Sequence, residues 1–158
     1  MRESGICAVF DPAKAEGSQT GLRNIEFIVR EPTGFDATGE AGEHDLITTF
    51  GAIPDQARPL DLPKGIHRAL KPGGWSLMQD IRGSSDLHRK NGHPIATFLD
   101  ATSTLRCMTV SLPPGGEGVG AMCGEEMTRE SPRKTGFRHV QTNRLAHDIQ
   151  NNWYVVRK

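Results

Sequence analysis

Apolar and polar positions fall into alternating blocks along this chain, and the blocks predict strands and helices that follow one another. Continuous apolar runs of strand length are typical of strands that are covered on both faces. Residues 6–10 form the first such run, and Asp11 and Pro12 close it. The complete set of predicted strands covers residues 6–10, 25–29, 46–50, 75–79, 137–144 and 153–157.

Helical patterns separate several of these strands. A short helix is predicted over residues 12–16, and a longer one begins at Asp61, a predicted N-cap, with Pro63 in its first turn. The apolar residues of this longer helix share one face. They are Leu62, Ile66, Ala69 and Leu70. Residues 71–74, Lys-Pro-Gly-Gly, are expected to end it.

The alternation of strands and helices predicts an α/β fold with a mainly parallel sheet and right-handed crossovers. The last two strands are separated only by a polar loop, so they predict an antiparallel hairpin at the C-terminus. We expect 1–158 to form a single domain.

The alternation breaks between residues 84 and 124. Residues 94–112 predict helical structure, and the Pro-Pro-Gly-Gly run at 113–116 predicts a flexible joint. A further helix is expected over 125–135, where an interior Pro132 would cost about 3 kcal/mol.

Composition and charge exclude several partners. The chain has 158 residues, with 19 Lys plus Arg and 19 Asp plus Glu, so no net charge would attract nucleic acid or an anionic membrane. No apolar run approaches the roughly 20 residues of a membrane span, and the N-terminus is too short for a signal peptide. These features predict a cytoplasmic protein with neither nucleic-acid nor membrane partners.

The cysteines and histidines do not predict a metal site. Cys7, Cys107 and Cys123 are widely and unequally spaced, whereas zinc ligands usually come in close pairs. None of the 6 histidines forms a His-x-x-x-His pair. Buried reduced thiols and solvated imidazoles are the better interpretation.

The candidate chemistry lies at the ends of the predicted strands. In an open parallel sheet, ligands bind beyond the carboxyl ends of the strands. Asp11, Glu31, Thr49, Phe50 and Asp80 all occupy such positions. The plainer alternatives are that Asp11 caps the turn before Pro12, that Glu31 is a loop residue and that Phe50 is packed in the core.

Several segments carry a family resemblance. The longest spans residues 44–59, His-Asp-Leu-Ile-Thr-Thr-Phe-Gly-Ala-Ile-Pro-Asp-Gln-Ala-Arg-Pro. Met-Gln-Asp-Ile at 78–81, Ser-Thr-Leu-Arg-Cys-Met-Thr-Val-Ser-Leu at 103–112 and Gly136-Phe137 follow in the same order. They resemble class I S-adenosylmethionine-dependent methyltransferases, in particular a bacterial group whose complete members carry an N-terminal winged helix. The resemblance implies that 1–158 is a single partial domain with a Rossmann-like sheet and S-adenosylmethionine as cofactor. From the strand order of the family, we expect the last strand to lie antiparallel beside the strand at 75–79.

The resemblance also implies roles for individual residues. Asp11 would bind the cofactor ribose, Glu31 would lie near the adenine amine, and Thr49 and Phe50 would flank the methyl group. A small-molecule methyl acceptor is implied, with residues 86–124 as an inserted substrate lid. The residues expected to bind the methyl acceptor are Asp55, Gln56 and Met108, and no catalytic residue is implied.

The chain also departs from the family pattern. Gly51 stands where the group has Asp, and Pro54 stands where it has His, which weakens any expectation of acid–base catalysis there. The family's first strand and glycine-rich cofactor loop would precede residue 6, so we expect the domain to be truncated at its N-terminus. Gly-Glu-Gly-Val-Gly at 116–120 has the spacing of that loop, but prolines rather than a buried strand precede it.

Two functional classes are therefore open. One is a methyltransferase acting on a small molecule, and the other is an inactive fragment or a non-enzymatic binding or scaffold domain. Without the first strand, the runs at 6–10 and 46–50 would have unpaired inner edges. We expect these two strands either to pair with each other directly or to promote self-association.

Overall fold

The computed structural model describes residues 3–29, 34–90, 94–113, 115–120 and 123–158, with side chains from residue 11 onwards except that of Leu87. The chain divides into two compact units, Met1–Glu31 and Pro32–Lys158. The expectation of one partial domain over 1–158, with a lid at 86–124, stays a prediction.

The first unit is built around a helix, which corrects two sequence predictions. Helix α1 spans Glu3–Gln19, so residues 6–10 are helical rather than a strand, and the short helix predicted at 12–16 lies inside α1. A short apolar run cannot by itself distinguish a strand from a helix. The Ala-Lys-Ala-Glu stretch at 13–16 consists of good helix formers and extends the helical segment past Pro12.

The strand predicted at 25–29 is also wrong. These residues have irregular backbone, and Ile25, Ile28 and Val29 are exposed. A strand needs a neighbour for its backbone hydrogen bonds, and residues 25–29 pair with no strand among the described residues.

The second unit contains a four-stranded sheet that confirms the remaining strand predictions. The strands are β1 (His44–Phe50), β2 (Leu70–Ile81), β3 (His139–Asn143) and β4 (Asn151–Arg157). Their order is β1-β2-β4-β3, so the last strand is inserted beside β2. β4 runs antiparallel to β2, with Met78 opposite Tyr154, as predicted.

The fold class is confirmed as α/β and Rossmann-like, with the antiparallel C-terminal hairpin formed by β3 and β4. β1 and β2 are parallel, whereas β4 is antiparallel to both of its neighbours. The parallel share of this sheet is smaller than expected because the two predicted N-terminal strands are not strands. The expected direct pairing of residues 6–10 with 46–50 is therefore wrong.

One described helix of the second unit precedes β1, and the others lie between β1 and β3. In chain order these helices are α2 (Phe35–Thr38), α3 (Asp61–Ala69), α4 (Leu87–Lys90), α5 (Ala96–Thr102), α6 (Met108–Ser111) and α7 (Gly124–Lys134), with a π-helical turn at Ser103–Cys107 joining α5 to α6. The prediction of helical structure over 94–112 is thus confirmed. Among the described helices, none is both long and apolar enough to cross a bilayer.

Two details of the helices differ from expectation. Asp61 is the first helical residue rather than the N-cap, which is Leu60, and its carboxylate pairs with Arg58 and Lys64. Pro132 does not interrupt α7, because it lies buried in the last helical turn.

One face of the sheet carries the core. Ile66 of α3, Phe137 and the inward-facing strand residues Met78, Tyr154 and Val156 are all buried in it. The apolar face predicted for α3 is confirmed, since Leu62, Ile66 and Ala69 are buried.

The other face of the sheet is open. Leu46, Phe50 and Trp75 are 57%, 61% and 45% exposed, although they lie on strands. We call the outward positions of β1, β2 and β4 the open face.

Candidate functional site

The carboxyl ends of β1 and β2 define one edge of the sheet. The two strands are parallel, with Thr49 opposite Met78 and Phe50 opposite Gln79. The backbone of Gly51 continues this pairing, since its N–H donates to the Gln79 carbonyl at 2.9 Å. Thr49, Phe50 and the chain after them therefore lie where ligands bind in open α/β sheets.

Thr49 and Phe50 point to opposite faces of the sheet, as successive strand residues must. The Thr49 hydroxyl is buried and has no hydrogen-bond partner among the described residues. The Phe50 ring is on the open face, where it meets the Trp153 ring edge-to-face at 6.2 Å between centroids. This strand end thus offers one unused polar group and one accessible aromatic surface.

Asp80, near the end of β2, is a buried carboxyl group. It is only 4% exposed, and the Ile81 N–H donates to its Oδ1 at 2.8 Å. Burial raises the pKa of Asp80 from an ordinary value of 3.8 to about 7, and the nearby charge of Asp55 acts in the same direction. The hydrogen bond from the Ile81 N–H and the polar side chain of Thr128 oppose this rise without cancelling it. Asp80 can therefore gain or lose a proton near neutral pH.

The Cys123 thiol lies near Asp80 and contacts the same residue, Thr128. Its Sγ is 3.6 Å from the Thr128 hydroxyl, and that hydroxyl donates to the Gly124 carbonyl at 3.1 Å. Burial, with the Asp80 charge as the second cause, raises the pKa of Cys123 to about 12. A thiol with such a pKa stays protonated and is a poor nucleophile. Cys107 is likewise buried and reduced, as expected for both thiols.

A second network links α7 to β4. The Asn152 amide donates to Glu125 Oε2 and to the Tyr154 hydroxyl, both at 3.3 Å. Arg144 donates to the same Glu125 oxygen at 2.8 Å. Burial raises the pKa of Tyr154 to about 12, so the phenol stays neutral. The Asn152 carbonyl oxygen is buried without a partner among the described residues.

The structure brings some of the predicted site residues together. Thr49 and Phe50 end β1, and Asp55 and Gln56 lie half-buried in the loop that follows. The Gln56 amide donates to the Ala52 carbonyl at 2.9 Å, which holds this loop. Met108, the first residue of α6, is half-buried.

The structure gives different outcomes for the two carboxylates that are predicted to bind the cofactor. Asp11 is an exposed residue inside α1, so the expectation that it follows a strand is wrong. Glu31 lies outside the described residues. Both roles stay predictions that depend on the family resemblance alone.

Sequence reasoning missed Cys123, Glu125 and Asn152. No local motif indicates them, because Cys123 approaches Asp80, and Glu125 contacts Asn152, only through tertiary structure. The pairing of β2 with β4 places Asn152 directly opposite Asp80. A correct register for the predicted 75–79 and 153–157 strands would have identified this one residue.

The Gly-x-Gly-x-Gly segment at 116–120 does not follow a strand. It comes after α6, its Gly116 N–H donates to the Ser111 carbonyl, and its Glu117 N–H donates to the Ala57 carbonyl at 2.9 Å. Two of its amides are therefore already used within the protein. This agrees with the interpretation of the segment as a joint.

Comparison with known proteins gives a consistent picture of the fold. No family model matches the chain, and no curated protein matches it. Solved structures do match. The trans-methyltransferase CalH in complex with SAH aligns with a TM-score of 0.64 and 16% identity, covering 94% of this chain and 39% of CalH. An O-methyltransferase family protein from Burkholderia thailandensis aligns with a TM-score of 0.65 and 14% identity, covering 94% and 40%.

A third match is the S-adenosylmethionine-dependent methyltransferase SibL, with a TM-score of 0.66 and 15% identity, covering 96% of this chain and 41% of SibL. This chain has the fold of the class I S-adenosylmethionine-dependent methyltransferases. It spans about two fifths of the length of these three proteins. Within this methyltransferase fold, β4 occupies the inserted antiparallel position that the resemblance predicted.

Proposed function

We propose that this chain takes part in the transfer of a methyl group from S-adenosylmethionine to a small-molecule acceptor. The observation that carries the proposal is the sheet order β1-β2-β4-β3 in a chain that aligns along nearly its whole length with methyltransferases. We further propose a cytoplasmic location, for which the sequence features above are the support.

The end of β1 fits the cofactor in one respect. A buried hydroxyl without a partner costs about 1–3 kcal/mol, so the unused Thr49 hydroxyl is suited to a polar ligand group. The exposed Phe50 ring provides an apolar surface on the opposite face of the same strand end. In this proposal Thr49 and Phe50 hold the cofactor, together with Asp11 and Glu31 from the family resemblance.

When bound, S-adenosylmethionine supplies a methyl group that a nucleophilic oxygen, nitrogen or carbon can accept directly. Such a transfer requires no nucleophilic enzyme residue, and holding the two reactants in line supplies most of the rate enhancement. Asp55, Gln56 and Met108 are the proposed acceptor-binding residues. Asp80, with a pKa of about 7, is the buried group best suited to accept a proton near neutral pH.

Calorimetry of the 158-residue chain with S-adenosylhomocysteine tests this proposal. Thr49→Val removes the hydroxyl and keeps the shape, and it should weaken binding by about 1 kcal/mol, roughly fivefold. Thr142→Val is the matched control, because the Thr142 hydroxyl is also buried without a partner among the described residues but lies on β3. The control should bind like the parent chain.

Asp11→Ala tests the role that depends on the resemblance alone. If Asp11 binds the ribose, the change should weaken binding by about 1.5–3 kcal/mol, the worth of a charged hydrogen bond. Unchanged binding would remove Asp11 from the site. Absence of any saturable binding by the parent chain would contradict the proposal as a whole.

The alternative is an inactive fragment or a non-enzymatic binding or scaffold domain. The observation in its favour is the position of Gly-x-Gly-x-Gly at 116–120, which follows a helix and uses its amides internally. The exposed apolar residues of the open face also suit a binding surface. Failure to bind S-adenosylhomocysteine in a chain that melts cooperatively would favour this alternative.

A further inference from the structure

A basic cavity lies at the carboxyl end of β2. Its volume is about 440 Å³, which falls within the range of about 300–1,000 Å³ typical of small-molecule sites. Arg82 follows β2 directly, so the cavity is close to the sheet edge described above. The charged residues that line it are Arg82, Arg89, Lys90, Arg144 and Glu125. We call this the basic cavity.

The charges of the basic cavity are unbalanced. Glu125 is the single acid among the described residues of the lining, and it already accepts from Arg144 at 2.8 Å and lies 3.6 Å from Arg129. Lys90 is neutralised by Asp100, which lies 3.1 Å away. Positive charge is therefore concentrated on the remaining lining residues.

Two arginines of the lining are available to a ligand. Arg82 lines the cavity and takes part in none of the ion pairs between described residues there, which involve Arg89, Lys90 and Arg144 instead. Arg89 has only long contacts, at 3.9 Å to Asp86 and 3.8 Å to Glu126. Such long exposed pairs contribute little, so a ligand can replace them at small cost. Arginine is well suited to this role because its planar guanidinium binds carboxylate and phosphate groups through two parallel hydrogen bonds.

We propose that the basic cavity binds the anionic group, a carboxylate or a phosphate, of a small molecule, with Arg82 as the principal contact and Arg89 in support. The inference rests on the proposed function in one respect: the bound molecule is the methyl acceptor. Its anionic end would lie in the basic cavity, and its nucleophilic atom would extend toward the carboxyl ends of β1 and β2.

The size and charge of the chain favour a small molecule over a polyanion. Nucleic acid is held by many phosphate contacts over an extended basic surface. Here the total charge of the chain is zero, and the basic cavity presents a few basic side chains rather than an extended basic surface. A single anionic group matches two available guanidinium groups.

Titration followed by amide chemical shifts in NMR tests the inference. The probes are phenyl phosphate and benzoate, with benzyl alcohol as the uncharged match, and the readout is the shift of the Gly83 and Ser84 amides, which line the cavity. We expect saturable shifts with an anion and none with benzyl alcohol. Tighter binding of phenyl phosphate would identify a phosphorylated acceptor, and tighter binding of benzoate would identify a carboxylic acid.

Paired variants test the assignment to Arg82. Arg82→Gln should weaken the preferred anion about tenfold, since a charged contact is lost. Its exposed side chain leaves the fold intact, because the backbone N–H of Arg82, not its side chain, bonds to Gln150. Arg138→Gln is the control, with the same chemical change at an exposed arginine just before β3. It should change the affinity by less than about twofold, since Arg138 does not line the cavity.

The outcomes separate this inference from the proposed function. Equal binding of benzyl alcohol, no saturable shift, or equal losses in the two variants would overturn the anion site. Anion binding without S-adenosylhomocysteine binding would keep the site and remove its role as acceptor site. S-adenosylhomocysteine binding without anion binding would keep the proposed function and remove the anion site.

Discussion

At the scale of single residues, Asp80 makes stability depend on pH. Its pKa is about 7 in the folded protein and near 3.8 in an exposed chain. Between these values the unfolded chain loses this proton and the folded chain keeps it, so the free energy of unfolding falls as pH rises. Above pH 7 the buried carboxylate is charged, and the full cost of its desolvation lowers the free energy of unfolding.

We therefore predict that Asp80→Asn stabilises the protein at pH 8, by on the order of 2–4 kcal/mol at most, and has little effect at pH 4. Urea unfolding at several pH values measures this. Asp45→Asn is the control, because its carboxylate is 82% exposed and, among the described residues, pairs with Lys71 at the surface. A parent chain whose stability does not fall between pH 4 and pH 7 would show that Asp80 is not desolvated in solution.

Cys123 provides a second residue-scale prediction. Because burial raises its pKa to about 12 and Cys107 is also buried, neither thiol should react readily with iodoacetamide at pH 8. The Cys7→Ser variant makes the measurement unambiguous, since it leaves only these two thiols. Mass spectrometry should find them alkylated only after denaturant is added. Rapid native alkylation of Cys123 would mean that the surroundings of Asp80 open to solvent.

At the scale of elements, α3 holds the sheet to its helical layer. Ile66 is 2% exposed in the core with Leu70, Phe137 and Tyr154. Ile66→Ala should therefore lower the free energy of unfolding by about 2–5 kcal/mol, through lost burial and the cavity that remains. Leu105→Ala is the control, because Leu105 is 77% exposed on the π-helical turn, and it should change stability by less than about 0.5 kcal/mol. Similar losses in both variants would contradict this account of the core.

The elements also show how far local pattern could predict the fold. β1, β2, β3 and β4 were all predicted, since each is either a dense apolar run or part of a hairpin. Their order came from the family resemblance, because no local pattern specifies which strands become neighbours. Residues 6–10 and 25–29 were predicted wrongly for a related reason. An apolar run becomes a strand only if a partner strand is present, and periodicity does not report partners.

The residues of the candidate site also fall into those that the sequence could predict and those that it could not. Thr49, Phe50 and Asp80 could be predicted, because strand ends are visible in the sequence. The Cys123 and Glu125 contacts could not, since α7 reaches Asp80 only after the chain has folded. The basic cavity was hidden for the same reason. Arg82 and Arg144 are 62 positions apart in sequence (144 minus 82) and meet only around the end of β2.

At the scale of the whole molecule, the open face and the β1 edge are the surfaces best suited to contact another chain. β1 pairs with β2 alone within the described sheet, so its outer backbone edge is unpaired there. A register shift between His44 and Leu46 distorts only the beginning of that edge. Leu46, Phe50 and Trp75 add exposed apolar surface beside it. Such an edge is a template for pairing with another copy of the chain.

We predict that the 158-residue chain self-associates as its concentration rises, and that Leu46→Lys weakens this association at least about tenfold, because lysine on an edge strand opposes pairing. Sedimentation velocity over a concentration series measures it. Leu105→Lys makes the same chemical change at a residue that is exposed but lies on a helical turn, and it should leave association nearly unchanged. If both variants dissociate equally, general charge repulsion rather than the β1 edge controls assembly. A parent chain that stays monomeric at every concentration would show that the open face and the β1 edge do not mediate self-association in solution.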